Sequence, residues 1–136
     1  MTTSNGLLRL GPDREPVPLE IAASYRARTR GLLGRDGIPG AALLLTPAGS
    51  VHTFRMRFAI DVAYLDRRLR VIALTTMPPG RLGLPRLRCR HVLEAEAGAM
   101  TAWGLRVGSQ LHVEGPDGPD GPDPSQLPLG PARPRR

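Results

Sequence analysis

A chain of 136 residues, of which 40% are apolar, can bury one hydrophobic core but is too short for two separate ones. All 19 basic residues are arginines, and residues 1–114 hold 16 of them against nine acidic residues, so the net charge of +7 belongs to that part. This charge is compatible with an anionic partner, although an arginine surface that only aids solubility remains an open alternative. The single cysteine, Cys89, excludes a disulfide framework within one chain and a metal site built on cysteines.

Targeting signals are not visible in the sequence. Residues 1–19 lack a basic start followed by an apolar stretch, and the longest apolar run, residues 41–45, is far shorter than a membrane span. We therefore predict no membrane-spanning segment and a cytoplasmic location.

The N-terminal part is predicted to contain two strands and the main helix. Residues 1–6 read as a flexible N-terminus, and short strands follow over residues 7–10 and 17–22. Ser24 is a suitable N-cap for a helix. Its apolar face would be formed by Tyr25, Thr29, Leu32 and Leu33. Gly34 could end this helix in the left-handed conformation, whereas Gly31 inside it indicates close packing or an earlier end.

The central part is predicted to be mostly strand. Residues 41–46 are apolar on both faces, which is typical of a buried strand, and residues 60–65 and 69–76 read as a hairpin. Residues 51–58 alternate, which predicts a strand with His52, Phe54, Met56 and Phe58 on one face.

The C-terminal part combines a loop, two strands and a short helix. Residues 77–87 are rich in proline and glycine and read as an irregular loop, followed by a strand over residues 88–96. A short helix is predicted within residues 98–105 and a last strand over residues 110–114. After that the composition changes to Gly-Pro-Asp repeats, so residues 115–136 are predicted to be a disordered tail.

Asp61 is the most informative single residue because it lies in an otherwise apolar strand. A buried carboxylate is costly unless it is paired or hydrogen-bonded. One alternative is a cluster with Arg55 and Arg57 at the mouth of a pocket. The other is a structural role, as an ion pair or as a cap on backbone amides at the start of the strand.

Candidate catalytic residues are weak, and none is assigned. His52 on an apolar face is more typical of a satisfied core residue, and a triad of Ser50, His52 and Asp61 lacks the turn that exposes a nucleophilic serine. Glu94 could pair with Asp61 for acid–base chemistry, but a salt bridge to an arginine is the simpler role.

Metal and nucleic-acid sites are poorly supported by the sequence. The three histidines lie on separate segments without the spacing of a zinc site, so no metal and no cofactor is predicted. Arginines cluster around the loop of residues 77–87, but with only 4% aromatic residues nothing alternates with them to stack bases. The sequence therefore gives little support to a nucleic-acid partner, which is the least favoured alternative.

Several segments together resemble a known family. Residues 30–35 (RGLLGR), residues 52–66 (HTFRMRFAIDVAYLD), residues 92–94 (VLE), Gly98 and residues 104–108 (GLRVG) are similar, in order and spacing, to the signatures of the domain of unknown function 192 family. The resemblance covers about residues 17–114.

The resemblance implies a β-rich α+β fold over residues 7–114. A small mixed or antiparallel sheet would curl into a partly closed barrel, beside one main helix and one short helix. It supplies no activity. The family-typical positions present here are Arg30, Gly31, Met56, Asp61, Arg81, Glu94 and Gly108.

Three functions remain open at this point. The first is a non-enzymatic accessory or binding module with a pocket for a small anionic ligand or a protein partner. The second is a small hydrolase-like enzyme that uses His52, Asp61 and Glu94. The third is an assembly partner of a larger complex. The ligand-binding candidates are Arg30, Met56, Arg57, Asp61, Arg81 and Glu94.

Overall fold

Seven strands form a single sheet in a computed structural model that describes residues 4–115. The strands are β1 (Ser4–Arg9), β2 (Val17–Ala22), β3 (Ala42–Leu45), β4 (Ile60–Leu65), β5 (Val71–Met77), β6 (His91–Glu96) and β7 (His112–Glu114), and the helices are α1 (Tyr25–Arg30) and α2 (Ala99–Ala102). Their order across the sheet is β5-β4-β6-β3-β2-β1-β7. The sheet is mixed, as the sequence predicted.

Most neighbouring strands are antiparallel. The predicted β4–β5 hairpin is confirmed, with Asp61 opposite Thr76. The exception is β2 and β3, which run parallel with Leu19 opposite Ala42. Parallel neighbours need a crossover connection, and the segment that contains α1 provides it.

The two edges of the curled sheet meet at one end. Arg70, just before β5, forms an isolated antiparallel bridge with Gln110, just before β7. The N–H of Val71 donates to the carbonyl of Ser109 at 2.9 Å, and the N–H of Leu111 donates to the carbonyl of Leu69 at 3.1 Å. These bonds close the sheet only over a short stretch, so the predicted partly closed barrel is confirmed.

The hydrophobic core is divided in two by the sheet. All seven strands contribute to one cluster, so it lies on the enclosed face of the curl; Leu44 and Leu93 are fully buried there. The second cluster includes Leu43, Val62 and Val92, which alternate with the first set along the same strands, and it extends to Leu32 after α1. α1 and the loop residues that follow it therefore cover the outer face.

α1 begins as predicted but ends early. The hydroxyl oxygen of Ser24 accepts from the N–H of Ala27 at 3.0 Å, which confirms the N-cap. The last helical residue is Arg30, because Gly31 turns away with a φ of 49°. The predicted apolar face is wrong at Tyr25, which is 78% exposed, while Ala27 is buried. Ala27 is the one buried residue of this six-residue helix, so the helix meets the core through its first turn and its other side chains are exposed or half-buried.

Residues 51–58 do not form the predicted strand. Only His52 makes a bridge, to Leu82, and Arg55 has a φ of 65°. The cause is Thr53, which is fully buried: its hydroxyl donates to the carbonyl of Pro78 at 2.7 Å and accepts from the N–H of Arg81 at 2.8 Å. This polar anchor buries Thr53 and leaves Phe54 46% exposed, although Met56, which the sequence placed on the same face as Phe54, is buried.

The ends of the domain differ slightly from expectation. β1 begins at Ser4, so residues 4–6, which the sequence placed in a flexible N-terminus, pair with β2. The predicted tail, apart from Gly115, lies outside the described residues. Neither helix within residues 4–115 has the length and apolar character needed to cross a membrane.

Candidate functional site

A cavity of about 80 Å³ opens on the outer face of the sheet, beneath the end of α1. Its walls come from residues 28–33, residues 50–52, Leu45 and Met56, and Glu94 on β6 also lines it. The early end of α1 creates this space, because the chain leaves the helix at Gly31 instead of continuing over the sheet.

Among residues 4–115, Glu94 is the only ionisable side chain from the sheet that lines the cavity. It pairs with Val62 on β4 and Leu43 on β3, and both neighbours belong to the outer core. Glu94 is 3% exposed, and residues 4–115 offer its carboxyl group no hydrogen-bond or ion-pair partner. Burial raises the pKa of this carboxyl to about 7. Near neutral pH, Glu94 therefore exists in both the protonated and the ionised form.

Two arginines lie at the rim of the cavity. Arg28 is fixed, since one guanidinium nitrogen donates to the carbonyl of Pro47 at 2.9 Å and another to the carbonyl of Ser24 at 3.3 Å. Arg30 is exposed and has no ion-pair partner within residues 4–115. The cavity therefore has a positive rim above one buried carboxyl group.

His52 lies at the same rim and is exposed. Its ring stacks on Phe54 with 5.1 Å between the centroids. Its Nδ1 accepts from the N–H of Phe54 at 3.3 Å. His52 is therefore exposed and not the buried core residue that the sequence indicated, although it lines the cavity together with Met56. Met56 is buried and supplies apolar wall.

Asp61 lies on the other side of the sheet. It pairs with Ala95 across β4 and β6, whereas Glu94 pairs with Val62, so the two carboxyl groups point to opposite faces. One oxygen of Asp61 accepts from the Thr76 hydroxyl at 2.7 Å. The other accepts from the N–H groups of Gly98 and Met100 at 2.9 and 3.1 Å. Asp61 therefore caps backbone amides, but these amides lie at the start of α2 and not at the start of its own strand, where the sequence had placed them.

The two remaining sequence candidates lie outside the cavity lining. Arg57 forms an exposed ion pair with Asp36 at 3.0 Å. Arg81 is exposed, and its main chain is bound to Thr53. The structure therefore brings together Arg30, Met56 and Glu94, with His52, but not Arg57, Asp61 or Arg81.

Arg28 lines the cavity although it is absent from the ligand-binding candidates. The available signal is the series of arginines at positions 26, 28, 30 and 35, which the sequence offers as part of an anion-binding face. No group of three or more metal-binding side chains that could hold an ion occurs within residues 4–115.

Comparisons with known proteins agree with this fold. A UPF0127 protein from Pyrococcus horikoshii is 35% identical over 86 residues, which is 59% of this chain and 73% of that protein. One from Pyrococcus abyssi is 30% identical over 99 residues, covering 68% of this chain and 83% of the relative.

Two solved structures share the fold at low identity. A protein from Sinorhizobium meliloti, described as a candidate transcription regulator, has a TM-score of 0.74 at 18% identity, over 83% of this chain and 96% of its own. A protein of unknown function from Novosphingobium aromaticivorans has a TM-score of 0.66 at 15% identity, over 80% of this chain and 84% of its own. The DUF192 family model, described as an uncharacterized ACR, matches residues 8–113. With that match spanning most of the sheet, the chain belongs to the DUF192 family.

Proposed function

We propose that this protein is a non-enzymatic binding module that takes a small organic anion into the Glu94 cavity. The observation that carries the proposal is a buried carboxyl group with no partner in residues 4–115, lining a cavity whose rim holds two arginines. Native structures satisfy nearly all buried polar groups. A group without a partner at the wall of a cavity is therefore available to a ligand or to water.

The chemistry of the cavity selects the ligand by charge and size. The anionic group would lie at the rim, where the guanidinium of Arg30 can form paired hydrogen bonds with a carboxylate. The apolar part would pack against Leu32 and Met56, and protonated Glu94 would donate to an acceptor on the ligand. A cavity of about 150 Å³ holds benzene. The volume of about 80 Å³ here therefore suits an acid with a short carbon chain.

The test titrates the full chain with short monocarboxylates and, separately, with the neutral amides and the amines of the same length. Binding is measured from the chemical shifts of the protein's backbone N–H groups. We expect the acids to bind, and to bind more weakly as the pH rises through 7, because ionised Glu94 repels them. Glu94→Gln should retain binding and lose this pH dependence.

Arg30→Ala should weaken binding of the acids by about tenfold, the equivalent of one charge-assisted hydrogen bond. Arg26→Ala is the matched control, since Arg26 is exposed on the same helix and does not line the cavity. Binding of amines in place of acids would refute the proposal, and so would equal affinities for the Arg30 and Arg26 variants.

The hydrolase hypothesis has weaker support. It needs His52, Asp61 and Glu94 together, but Asp61 is bound to α2 on the opposite face of the sheet from Glu94. The assembly hypothesis was based on the C-terminal tail or an exposed sheet edge, and the structure adds three exposed apolar side chains in one loop, Leu82, Leu84 and Leu87.

The candidate transcription regulator among the structural relatives suggests nucleic acid as another partner. Major-groove reading commonly uses an inserted helix. Within residues 4–115, α1 has six residues and α2 has four. We therefore favour the small anion.

A further inference from the structure

A second, larger recess lies at the end of the sheet where its edges meet. It has a volume of about 500 Å³. Its lining is Asp66, Arg67, Arg68, Arg70, Arg88 and Arg90, which we call the arginine groove. The first four residues belong to the β4–β5 connection and the last two lead into β6. No residue is shared with the Glu94 cavity.

The arginine groove carries five positive charges and one negative charge. The single carboxylate is already engaged in the turn: one oxygen of Asp66 accepts from the N–H groups of Arg68 and Arg70 at 2.9 and 3.0 Å. The ion pairs found within residues 4–115 involve none of the five arginines. Asp66 offsets only one of the five positive charges, so an added anion would relieve the repulsion among the arginines.

Buried neighbours orient these arginines outward. Leu69, between Arg68 and Arg70, is 4% exposed. Cys89, between Arg88 and Arg90, is 8% exposed and bonds through its thiol to the main-chain carbonyls of Ala48 and His91. In each segment the buried side chain, Leu69 or Cys89, anchors the main chain, and the arginines on either side of it lie at the surface.

The main chain on both sides of the arginine groove is unusual. Leu69 has a φ of 67° and Arg88 a φ of 94°, in a region that residues other than glycine rarely adopt. Such strain persists only where the surrounding structure determines it, and it concentrates at functional sites. The N–H of Arg90 donates to the carbonyl of Leu65 at 2.8 Å, which ties the two sides together.

We propose that the arginine groove binds an anion that carries several phosphate groups close together. The guanidinium fork matches phosphate oxygens in two-point contacts, and five of them can neutralise more than one phosphate. Among residues 4–115, the lining contains no aromatic ring on which a base could stack and no apolar side chain that would bury an acyl chain. Recognition rests on the phosphates.

Such phosphates have two sources, a soluble oligophosphate or the headgroups of an anionic lipid surface. The loop before Arg88 exposes Leu84 and Leu87, by 71% and 91% respectively. Insertion of these side chains would add apolar burial to binding at a lipid surface, but it would contribute nothing to binding of a soluble oligophosphate. The two leucines therefore distinguish the sources.

The experiment measures binding of tripolyphosphate to the full chain by calorimetry, and of vesicles of phosphatidylserine and phosphatidylcholine by co-sedimentation. Arg68→Ala with Arg90→Ala, one from each side of the arginine groove, should weaken binding of the responding probe by at least about tenfold. Arg14→Ala with Arg26→Ala removes the same charge from exposed positions outside both cavities and should change it by less than about twofold.

Leu84→Ser with Leu87→Ser assigns the source. Loss of vesicle binding with tripolyphosphate binding intact supports a lipid headgroup, whereas tripolyphosphate binding without vesicle binding supports a soluble anion. Equal responses of the two arginine double variants would overturn the proposal. It would also be overturned if a single-stranded oligonucleotide bound far more tightly than either probe and lost that affinity in the Arg68/Arg90 variant, because nucleic acid would then be the partner.

Discussion

Asp61 and Glu94 are buried carboxyl groups on adjacent strands, and their surroundings differ completely. On the enclosed face, Asp61 accepts three hydrogen bonds and holds the start of α2. On the outer face, Glu94 has no partner within residues 4–115 and borders a cavity. The two strands that carry them, β4 and β6, are direct neighbours, and the carboxyl groups lie on opposite faces of the sheet.

The contrast shows that burial alone does not decide what a carboxyl group does. Both side chains are at most 5% exposed. Burial with no hydrogen bond to the ionised form raises the pKa of a carboxyl group, because desolvation disfavours the charge. Glu94 shows that raised pKa, of about 7. The carboxyl group that stabilises the fold is thus the one that accepts hydrogen bonds from the protein, and the carboxyl group available to a ligand is the one that accepts none within residues 4–115.

The largest expected effect comes from removing the enclosed-face carboxylate. Asp61→Ala leaves two main-chain N–H groups and the Thr76 hydroxyl without their acceptor. We expect a loss of about 3 to 5 kcal/mol in the free energy of unfolding, measured by urea denaturation. Thr76→Ala removes one of the three bonds, at the exposed edge, and should cost less than about 1 kcal/mol. If Asp61→Ala lowered the free energy of unfolding by less than about 1 kcal/mol, Asp61 would not be the carboxyl group that stabilises the fold.

A smaller effect, which depends on pH, is expected for Glu94. Its pKa is about 7 in the folded protein against an ordinary value of 4.5, so the folded state binds its proton more tightly. Stability from this group is therefore complete below pH 4.5 and is lost as the pH rises through 7, by about 3 kcal/mol. The measurement is the free energy of unfolding of the wild type minus that of Glu94→Gln, across this pH range.

The subtraction in that experiment matters because other charged groups face the same cavity. Arg28 and Arg30 from α1, and His52 from the following loop, remain in both proteins. Their contributions cancel if they titrate alike. A difference that is flat between pH 4.5 and 8 would show that Glu94 is solvated or paired after all.

The smallest effect concerns the helix on the outer face. α1 is capped locally by Ser24, whereas α2 is capped across the sheet by Asp61. Ser24→Ala should cost about 1 kcal/mol, and Ser24→Asp, which keeps an acceptor, should cost little. Thermal denaturation of both variants checks this. A cost as large as that of Asp61→Ala would remove the distinction between local and long-range capping.

Local features of the fold were readable from the sequence. The bounds of β4, the hairpin to β5 and the N-cap at Ser24 depend on a few neighbouring residues, and all three are confirmed. The strand predicted for residues 51–58 was wrong because Thr53 forms hydrogen bonds to residues 78 and 81, and these bonds override the local alternation. No local pattern reports such a contact.

The candidate site was only partly readable for the same reason. Within one strand, alternation says which residues share a face, but between strands the faces depend on register. Asp61 and Glu94 lie on strands separated by β5 and a long loop, so their register could not be inferred, and they were placed in one site although they occupy opposite faces. Arg30, Met56 and Glu94 were chosen from the family resemblance, and the structure brings these three together.

The position of β1 has a consequence for how the chain is made. β1 is the first strand of the described part, yet one of its neighbours is β7, the last. As the protein leaves the ribosome, β1 can pair with β2 early but must wait for residues 112–114 before its other edge is covered. During that interval the nascent chain exposes an unpaired strand, which is a template for aggregation. The risk of aggregation through this edge therefore begins when β1 is synthesised and ends when β7 pairs with it.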